Sequence, residues 1–347
     1  MKKPGLLSLP LIALIAASPA AAERKNGSPL DHLPPNIQVL TQFGERADFS
    51  PDNTEIAFMA KSFGDAFVIN LATRKIRCLT CNVPGAAFLR VMHLANGDYI
   101  LIGPEHFTDI RTSRTRDNEL WYLSKVKGSK PVRLGEKMSE GAAVSKTRMQ
   151  IAVSELPAQY PDLARNASRI RTMTVDLSGP VPQLTDRKTV YSSDTEACGL
   201  EAQDFYENDT KLTFVCYNRK DIPPQDDQYA DVMSLDLKTG AATNMTQHDH
   251  SYNEVEGIFP GGRFTAVEAD RQVEQLGGRR GSHNIDIWKL GLDGTGRNFT
   301  RLTHFNDYVG WKASNPVIAT SGRYMAFQLA STKDEAGVGY GLLLYRF

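Results

Sequence analysis

The sequence has no excess of charge of either sign, because 40 Lys and Arg residues balance 40 Asp and Glu residues among its 347 residues. A chain without a basic surplus gives no reason to expect a nucleic acid or an anionic membrane surface as its partner. It also lacks a sustained helical period beyond its first residues, which argues against a helical protein. No G-x-S-x-G sequence occurs, and the glycine-rich stretch 277–281 has no strand–helix context. Neither a serine hydrolase domain nor a phosphate-binding loop is therefore predicted.

Long apolar runs are also scarce, and the one candidate lies at the N-terminus. Lys2 and Lys3 precede an apolar stretch over residues 6–17, and the small residues of 18–22 resemble a cleavage site. We interpret residues 1–22 as a secretory signal peptide, which predicts a periplasmic or secreted protein. The apolar stretch is too short for a membrane span, so we expect none after cleavage. Cleavage would leave 38 basic residues against 40 acidic ones.

Only four cysteines are present. Cys198 and Cys216 flank a turn at 206–209 almost symmetrically, so hairpin pairing would place them nearly opposite each other, one position out of register. That arrangement predicts a structural disulfide. Cys78 and Cys81 form a C-x-x-C without a thioredoxin-like context or a second C-x-x-C. A local disulfide or two free thiols therefore explain them better than a redox or zinc site.

What the sequence does contain is a repeat that restarts near the N-terminus. Five segments end in an apolar residue followed by Thr, and Leu134-Gly135 fills the wide gap in the series: Leu40-Thr41, Leu79-Thr80, Leu184-Thr185, Met245-Thr246 and Leu302-Thr303. Three strands follow each of them, but the sixth unit ends after its third strand, at 341–347. The spare strand 37–41 can supply the missing fourth. We predict an all-β fold, a six-bladed β-propeller over residues 37–347 that is closed by an N-terminal strand and preceded by an extension of residues 23–36.

Residues 38–80 resemble the TolB-type propeller repeat. The resemblance lies in the turn Ser50-Pro51-Asp52-Asn53, the strand Ile56-Ala57-Phe58 and the closing Leu79-Thr80, and residues 245–347 look like two further copies. It implies a TolB-like propeller over nearly all of the mature chain. TolB itself carries an α/β domain ahead of its propeller, and residues 23–36 are too few to form one. The membrane partners of TolB are therefore not carried over.

Long polar loops join second to third strands on one predicted face of the propeller, at 105–118, 155–169, 218–230, 269–284 and 330–338. Because binding residues concentrate on long loops held by a rigid scaffold, we expect the site on this face. The candidate ligand-binding residues come from blades 5 and 6: His250, Glu254, Glu256, Asp270, Arg271, Lys312 and Asn315. We expect the side-chain heads of at least four of the following six to lie within about 10–12 Å of one another at the channel mouth: His250, Glu254, Asp270, Arg271, His304 and Lys312.

Simple ion pairing is an alternative explanation for two of these candidate groups. Glu254 and Glu256 can act as general acid and base, or can pair with a cation such as Lys312. Asp270 and Arg271 can hold an anionic or sugar ligand, or can form a structural ion pair.

Two functions fit these features. The first is a non-catalytic scaffold, a monomer without a cofactor, that binds a protein partner or a glycan on the long-loop face. The second is a metal-assisted lyase or hydrolase acting on oligosaccharides, similar to propellers of the oligogalacturonate lyase type, with a divalent metal on histidines. The candidate metal ligands are His248, His250, His283 and His304. Convergence of three histidines would favour the enzyme, and their dispersal would favour the scaffold.

Overall fold

The computed structural model describes residues 22–165, 167–193, 198–218, 229–333 and 337–347. Six four-stranded antiparallel sheets follow one another along the chain, and the first strands of neighbouring sheets contact one another. This is a six-bladed β-propeller, as the repeat predicted. The proposed signal peptide lies almost wholly outside the described residues. Among those described, no helix has the length and apolar character needed to cross a membrane.

Blades 1 to 3 occupy the first half of the chain, and each runs from an innermost to an outermost strand. Blade 1 consists of β2 (Glu45–Phe49), β3 (Glu55–Met59), β4 (Ala66–Asn70) and β5 (Ile76–Cys78). Blade 2 consists of β6 (Arg90–His93), β7 (Tyr99–Pro104), β8 (Asn118–Leu123) and β9 (Val132–Lys137). Blade 3 consists of β10 (Ala142–Val144), β11 (Gln150–Glu155), β12 (Arg169–Asp176) and β13 (Gln183–Ser192).

Blades 4 to 6 follow the same order. Blade 4 consists of β14 (Cys198–Tyr206), β15 (Lys211–Asn218), β16 (Asp231–Asp236) and β17 (Ala242–Asn244). Blade 5 consists of β18 (Asn253–Ile258), β19 (Phe264–Ala269), β20 (Asp286–Gly291) and β21 (Phe299–Arg301). Blade 6 consists of β22 (Trp311–Ile318), β23 (Tyr324–Ser331), β24 (Leu342–Arg346) and the N-terminal strand β1 (Ile37–Val39).

Strand β1 closes the ring as the outermost strand of blade 6. It pairs antiparallel with β24, so that Ile37 lies opposite Tyr345 and Val39 opposite Leu343. The backbone N–H groups of Leu40 and Thr41 both donate to the carbonyl of Leu342, at 2.8 and 3.2 Å. Without this strand the edge of β24 would be unpaired, which is a template for association with other chains.

The hydrophobic core consists of six clusters, each lying between two neighbouring blades. The cluster that joins blade 6 to blade 1 packs Phe49, Ile56 and Phe58 against Leu342 and Leu344. Each sheet buries both of its faces in such clusters, which explains why the second strands read as continuous apolar runs rather than as an alternating pattern.

The Thr that ends several repeats has a structural role. The hydroxyls of Thr80, Thr246 and Thr303 each donate to an Asp just before or at the start of the third strand of the same blade, at 2.7 or 2.8 Å. Each hydroxyl also accepts a backbone N–H from that third strand. The side chain therefore fastens the outermost strand to its neighbour with polar groups that are fully paired.

Helical segments are short and lie in the connections. They comprise α1 (Ile110–Thr112), a π-helical turn (Ser113–Asp117), α2 (Val273–Leu276) and two 3₁₀ turns (Pro29–His32 and Phe305–Asp307). The extension 23–36 lies against blades 5 and 6. There the Arg24 guanidinium donates to the carbonyl of Gly277 at 2.9 Å, so the extension contacts the segment that follows α2.

Two disulfides are present. Cys198 and Cys216 are joined, as predicted, with their Cα atoms 5.4 Å apart. Their register differs from the expectation by one further position, because Cys198 lies opposite Asn218 and Cys216 lies opposite Leu200. Cys78 and Cys81 form the local disulfide, which was one of the two alternatives left open by the sequence.

Candidate functional site

A cavity of about 430 Å³ occupies the centre of the long-loop face. Four of the five long loops contribute to it, through Arg114, Tyr229, His283 and Val338 among others. The innermost strands supply its walls. A narrower cavity of about 50 Å³ continues from it along the channel, and the two share Arg46, Arg90 and Asn315. The larger cavity falls within the size range of small-molecule sites.

Charged side chains line both cavities, and acids outnumber bases. Among the described residues, the eight carboxylates are Glu45, Asp48, Glu140, Glu201, Asp204, Glu254, Glu256 and Glu268. The five cations are Arg46, Arg90, Arg114, Lys146 and Lys312. The two signs are not evenly mixed, because the arginines come from blades 1 and 2 and most of the glutamates from blades 4 and 5. These blades lie on opposite sides of a six-membered ring.

The arginine wall, which we define as Arg46, Arg90 and Arg114, is already neutralised. Arg114 and Arg46 both donate to Glu140, the latter at 3.3 Å. Burial alone would raise the pKa of Glu140, but these arginines outweigh burial and lower that pKa to about 2. Arg90 lies 3.6 Å from Glu201. This side of the cavity therefore contributes little free positive charge.

The acidic wall, defined as Glu201, Glu254, Glu256 and Glu268, is not neutralised in the same way. Burial, followed by repulsion from Glu140 and Glu254, raises the pKa of Glu201 to about 8. Burial and the neighbouring Glu254 also raise the pKa of Glu268 to about 8. Burial raises the pKa of Glu256 well above its usual value. Several carboxyl groups of this wall are therefore protonated at neutral pH.

Irregular backbone aims two of the side chains into the cavity. Arg46 and Asn315 adopt positive φ angles of 54° and 48°, and each lies where the register of an innermost strand shifts. Bulges of this kind redirect side chains, and strained non-glycine residues concentrate at functional positions. The Asn315 amide then donates to Glu268 at 3.2 Å and to Glu256 at 3.3 Å.

Three buried polar atoms that belong to lining residues have no hydrogen-bond partner. They are Oε2 of Glu45, Nε of Arg90 and Nε2 of Gln203. Glu45 is only 1% exposed, and its other oxygen accepts the hydroxyl of Ser62 at 2.5 Å. Buried polar atoms are nearly always paired, so these three mark places where a ligand or water would complete the hydrogen bonding.

The structure brings four of the seven predicted ligand-binding residues to the channel, namely Glu254, Glu256, Lys312 and Asn315. The other three lie elsewhere. Asp270 is fully buried and pairs with Arg280 at 3.1 Å, and Arg271 pairs with Asp249 and packs over the ring of Phe299. His250 is exposed beside Tyr229. Of the six residues expected to converge, only Glu254 and Lys312 line the cavity, so the predicted cluster does not form as stated.

The four candidate metal histidines are dispersed. His248 pairs with Asp231 at 2.5 Å, and His304 lies 3.4 Å from Asp307 in another loop. Only His283 lines the cavity. In the part of the chain that the structure describes, no group of three potential ligands includes any of these histidines. The one group found consists of Asp65 and the disulfide-bonded Cys78 and Cys81. Separate loops hold these rings on separate partners, so the structure does not bring the four candidate metal ligands together.

Sequence reasoning missed the residues from blades 1 to 4: Glu45, Arg46, Arg90, Arg114, Glu140 and Glu201. A signal was present, since most of the charged lining residues lie at or near the start of an innermost strand, at equivalent places in the repeat. Charged residues at that repeated position are unusual in a buried strand. For locating the residues that line the cavity, this repeated position is a better guide than the density of histidines and charges within blades 5 and 6.

The architecture and the central polar cavity define a β-propeller with a ligand-sized depression in its loop face. No protein-family model matches the chain, and no curated protein matches it in sequence. Solved structures do match.

A protein assigned as TolB from Agrobacterium tumefaciens is similar over 80% of this chain and 96% of its own, with 16% identity and a TM-score of 0.50. TolB from Acinetobacter baumannii is similar over 88% of this chain and 65% of its own, with 12% identity and a TM-score of 0.51. Hydrazine synthase from Kuenenia stuttgartiensis has 8% identity over 87% of this chain and 82% of its own, with a TM-score of 0.52. At these identities the likeness concerns the fold alone, and the chain has a TolB-like propeller fold.

Proposed function

We propose that this chain is a periplasmic or secreted, non-catalytic binding protein that takes a glycan into the cavity of its long-loop face. The observation that carries the proposal is the cavity itself, which is recessed, of ligand size and lined by tyrosines as well as charges. Tyr217, Tyr229, Tyr252 and Tyr340 offer flat faces for sugar rings, and the carboxylates accept hydrogen bonds from hydroxyl groups. A partner protein would need a larger and flatter surface.

Two further observations bear on the compartment and on the choice between the two functions. The N-terminal stretch reads as a signal peptide, and both cysteine pairs are oxidised, which suits a periplasmic or extracellular setting. Convergence of three histidines would favour a metal-assisted lyase, so their dispersal favours a binding protein.

A glycan array followed by titration calorimetry tests the proposal. Purified mature protein should bind at least one class of oligosaccharide, and Tyr229→Ala should weaken that binding because it removes a ring from the cavity lining. Tyr324→Ala is the matched control, since Tyr324 follows a turn on the opposite face. Capture of a protein with no glycan bound, lost on the same Tyr229→Ala substitution, would contradict the proposal.

A further inference from the structure

We infer that the ligand of the cavity carries a protonated amine, and that this ammonium group binds on the acidic wall of Glu201, Glu254, Glu256 and Glu268. The inference rests on the proposed glycan-binding function and adds the chemical class of the ligand, an amino sugar with free amines.

The first support is the geometry of the wall. Glu254 and Glu268 lie directly opposite each other on β18 and β19, so their side chains leave the same face of the sheet as near neighbours. The register shift between Val255 and Gly257 falls at Glu256, which lines the narrower cavity and is bridged to Glu268 by the Asn315 amide. Two carboxyl groups this close cannot both ionise without mutual repulsion, so a bound cation would favour the fully ionised wall.

The second support is that, among the described residues, only Glu201 of the four wall glutamates has a lysine or arginine in ion-pair distance, namely Arg90 at 3.6 Å. Arg46 and Arg114 are committed to Glu140, and Lys146 lies 2.7 Å from Asp48. The Lys312 ammonium donates to the carbonyl of Ser282 at 2.8 Å. No ion pair within 4.0 Å joins a Lys or Arg of the described chain to Glu254, Glu256 or Glu268. Lysine and arginine side chains therefore lie nearby, but each pairs with a group other than Glu254, Glu256 or Glu268.

Two more features of the cavity lining favour a ligand with a cationic N–H group. The Tyr252 and Tyr217 hydroxyls donate to Glu254 and Glu201, the latter at 3.0 Å, so aromatic rings border the place where the ammonium would lie. Aromatic faces attract cations. Elsewhere in the lining, the unpartnered Oε2 of Glu45 is a buried acceptor that fits an N–H or O–H of the same ligand.

Because carboxyl groups of the acidic wall are protonated before binding, an ammonium ligand should cause a measurable release of protons. Arrival of an ammonium group favours ionised carboxylates, so the raised pKa values of Glu201 and Glu268 fall and protons leave for the buffer. Among the described residues, the other titratable or charged groups facing the wall are Arg46, Arg90, Arg114, Glu140, Tyr217, Tyr252 and Lys312. Net proton release on binding is therefore expected, whereas a neutral ligand would release few protons or none.

The experiment uses calorimetry on mature protein at pH 6.5 in two buffers of different ionisation enthalpy. The probes are the β-1,4-linked trimer of glucosamine, the N-acetylated trimer of the same length, and the linear triamine spermidine. We expect the free amine trimer to bind about tenfold or more tightly than the acetylated one, with proton release. Glu254→Gln and Glu268→Gln should each reduce that affinity by about tenfold or more, while Glu207→Gln, an exposed glutamate on the opposite face, should not.

The outcomes separate this inference from the proposed function. Equal affinity for the two trimers would overturn the amine inference and leave glycan binding standing. Binding of spermidine without either trimer, and with no oligosaccharide bound on the array, would support the amine and overturn the glycan proposal. Binding of no probe would overturn the amine inference, and it would overturn the glycan proposal as well if the array also shows no binding. Because glutamine resembles a protonated glutamate in shape, the variants should fold. An unchanged circular dichroism spectrum together with unchanged affinity would refute the role of the wall.

Discussion

Substituting Glu268 by Gln should stabilise the protein at alkaline pH and change it little at acidic pH. Glu268 is 4% exposed, lies opposite Glu254, and accepts hydrogen bonds from the backbone and side chain of Asn315. Burial, followed by repulsion from Glu254, raises its pKa from 4.5 to about 8. Glutamine keeps an oxygen for Asn315 and removes the charge, so only the ionisation cost should disappear.

The sign and size follow from proton linkage. Below pH 4.5 the carboxyl is protonated in both the folded and the unfolded state and contributes nothing to the pH dependence. Between pH 4.5 and about 8 only the folded state retains the proton, so stability falls by about 1.4 kcal/mol per pH unit. The full cost is on the order of 5 kcal/mol above pH 8. Glu268→Gln should therefore gain under about 1 kcal/mol at pH 5 and several kcal/mol at pH 8.

Urea unfolding followed by tryptophan fluorescence at pH 5, 6, 7 and 8 measures this difference. Glu207→Gln is the control, because Glu207 lies in an exposed turn on the opposite face and its removal should give a pH-independent change. A variant that is less stable than the wild type by the same amount at every pH would refute the reasoning. It would mean that Glu268 is ionised in the folded protein at all these pH values.

Three other predictions concern the scaffold. Deleting residues 23–42 removes β1 and leaves the outer edge of β24 unpaired. The truncated protein should therefore form oligomers or aggregates, which size-exclusion chromatography would detect. A stable monomer would argue against closure by this strand. Replacing Cys198 and Cys216 by Ser should lower the free energy of unfolding by about 2–3 kcal/mol, and equal stability of the wild type with and without reductant would count against it. Thr246→Val leaves the buried carboxylate of Asp231 without the 2.7 Å hydroxyl donor and should cost about 1–3 kcal/mol in thermal or chemical unfolding. Thr243→Val, at an exposed position of β17 three residues before Thr246, is its control.

The sequence predicted the scaffold because a propeller repeats its local signals. The apolar residue followed by Thr, the turn before each second strand and the three-strand count of the sixth unit are all readable in order along the chain. Each is a local preference or a count, so no knowledge of distant contacts was needed. The Thr signal also has a local cause, since Thr80, Thr246 and Thr303 bond an Asp within the same blade.

The site was predicted only in its general location. The long loops indicated the face on which the cavity lies, and Glu254 and Lys312 line that cavity. Which charges neutralise one another was decided by tertiary structure alone, because Arg46 meets Glu140 from 94 residues away and Arg90 meets Glu201 from 111 residues away. Asp270 illustrates the opposite case, since Arg280 of the same loop pairs with it and turns a candidate ligand into a buried structural pair.

The sequence by itself therefore determined the blades, their number and the closing strand, since these depend on short-range pattern. Only the closed ring decided the chemistry of the channel. Every blade contributes side chains to the two cavities, and several charges meet partners from another blade, as Arg46 meets Glu140 and Arg90 meets Glu201. The surplus of carboxylates on the acidic wall is a property of that assembly, and no single segment of the balanced sequence displays it.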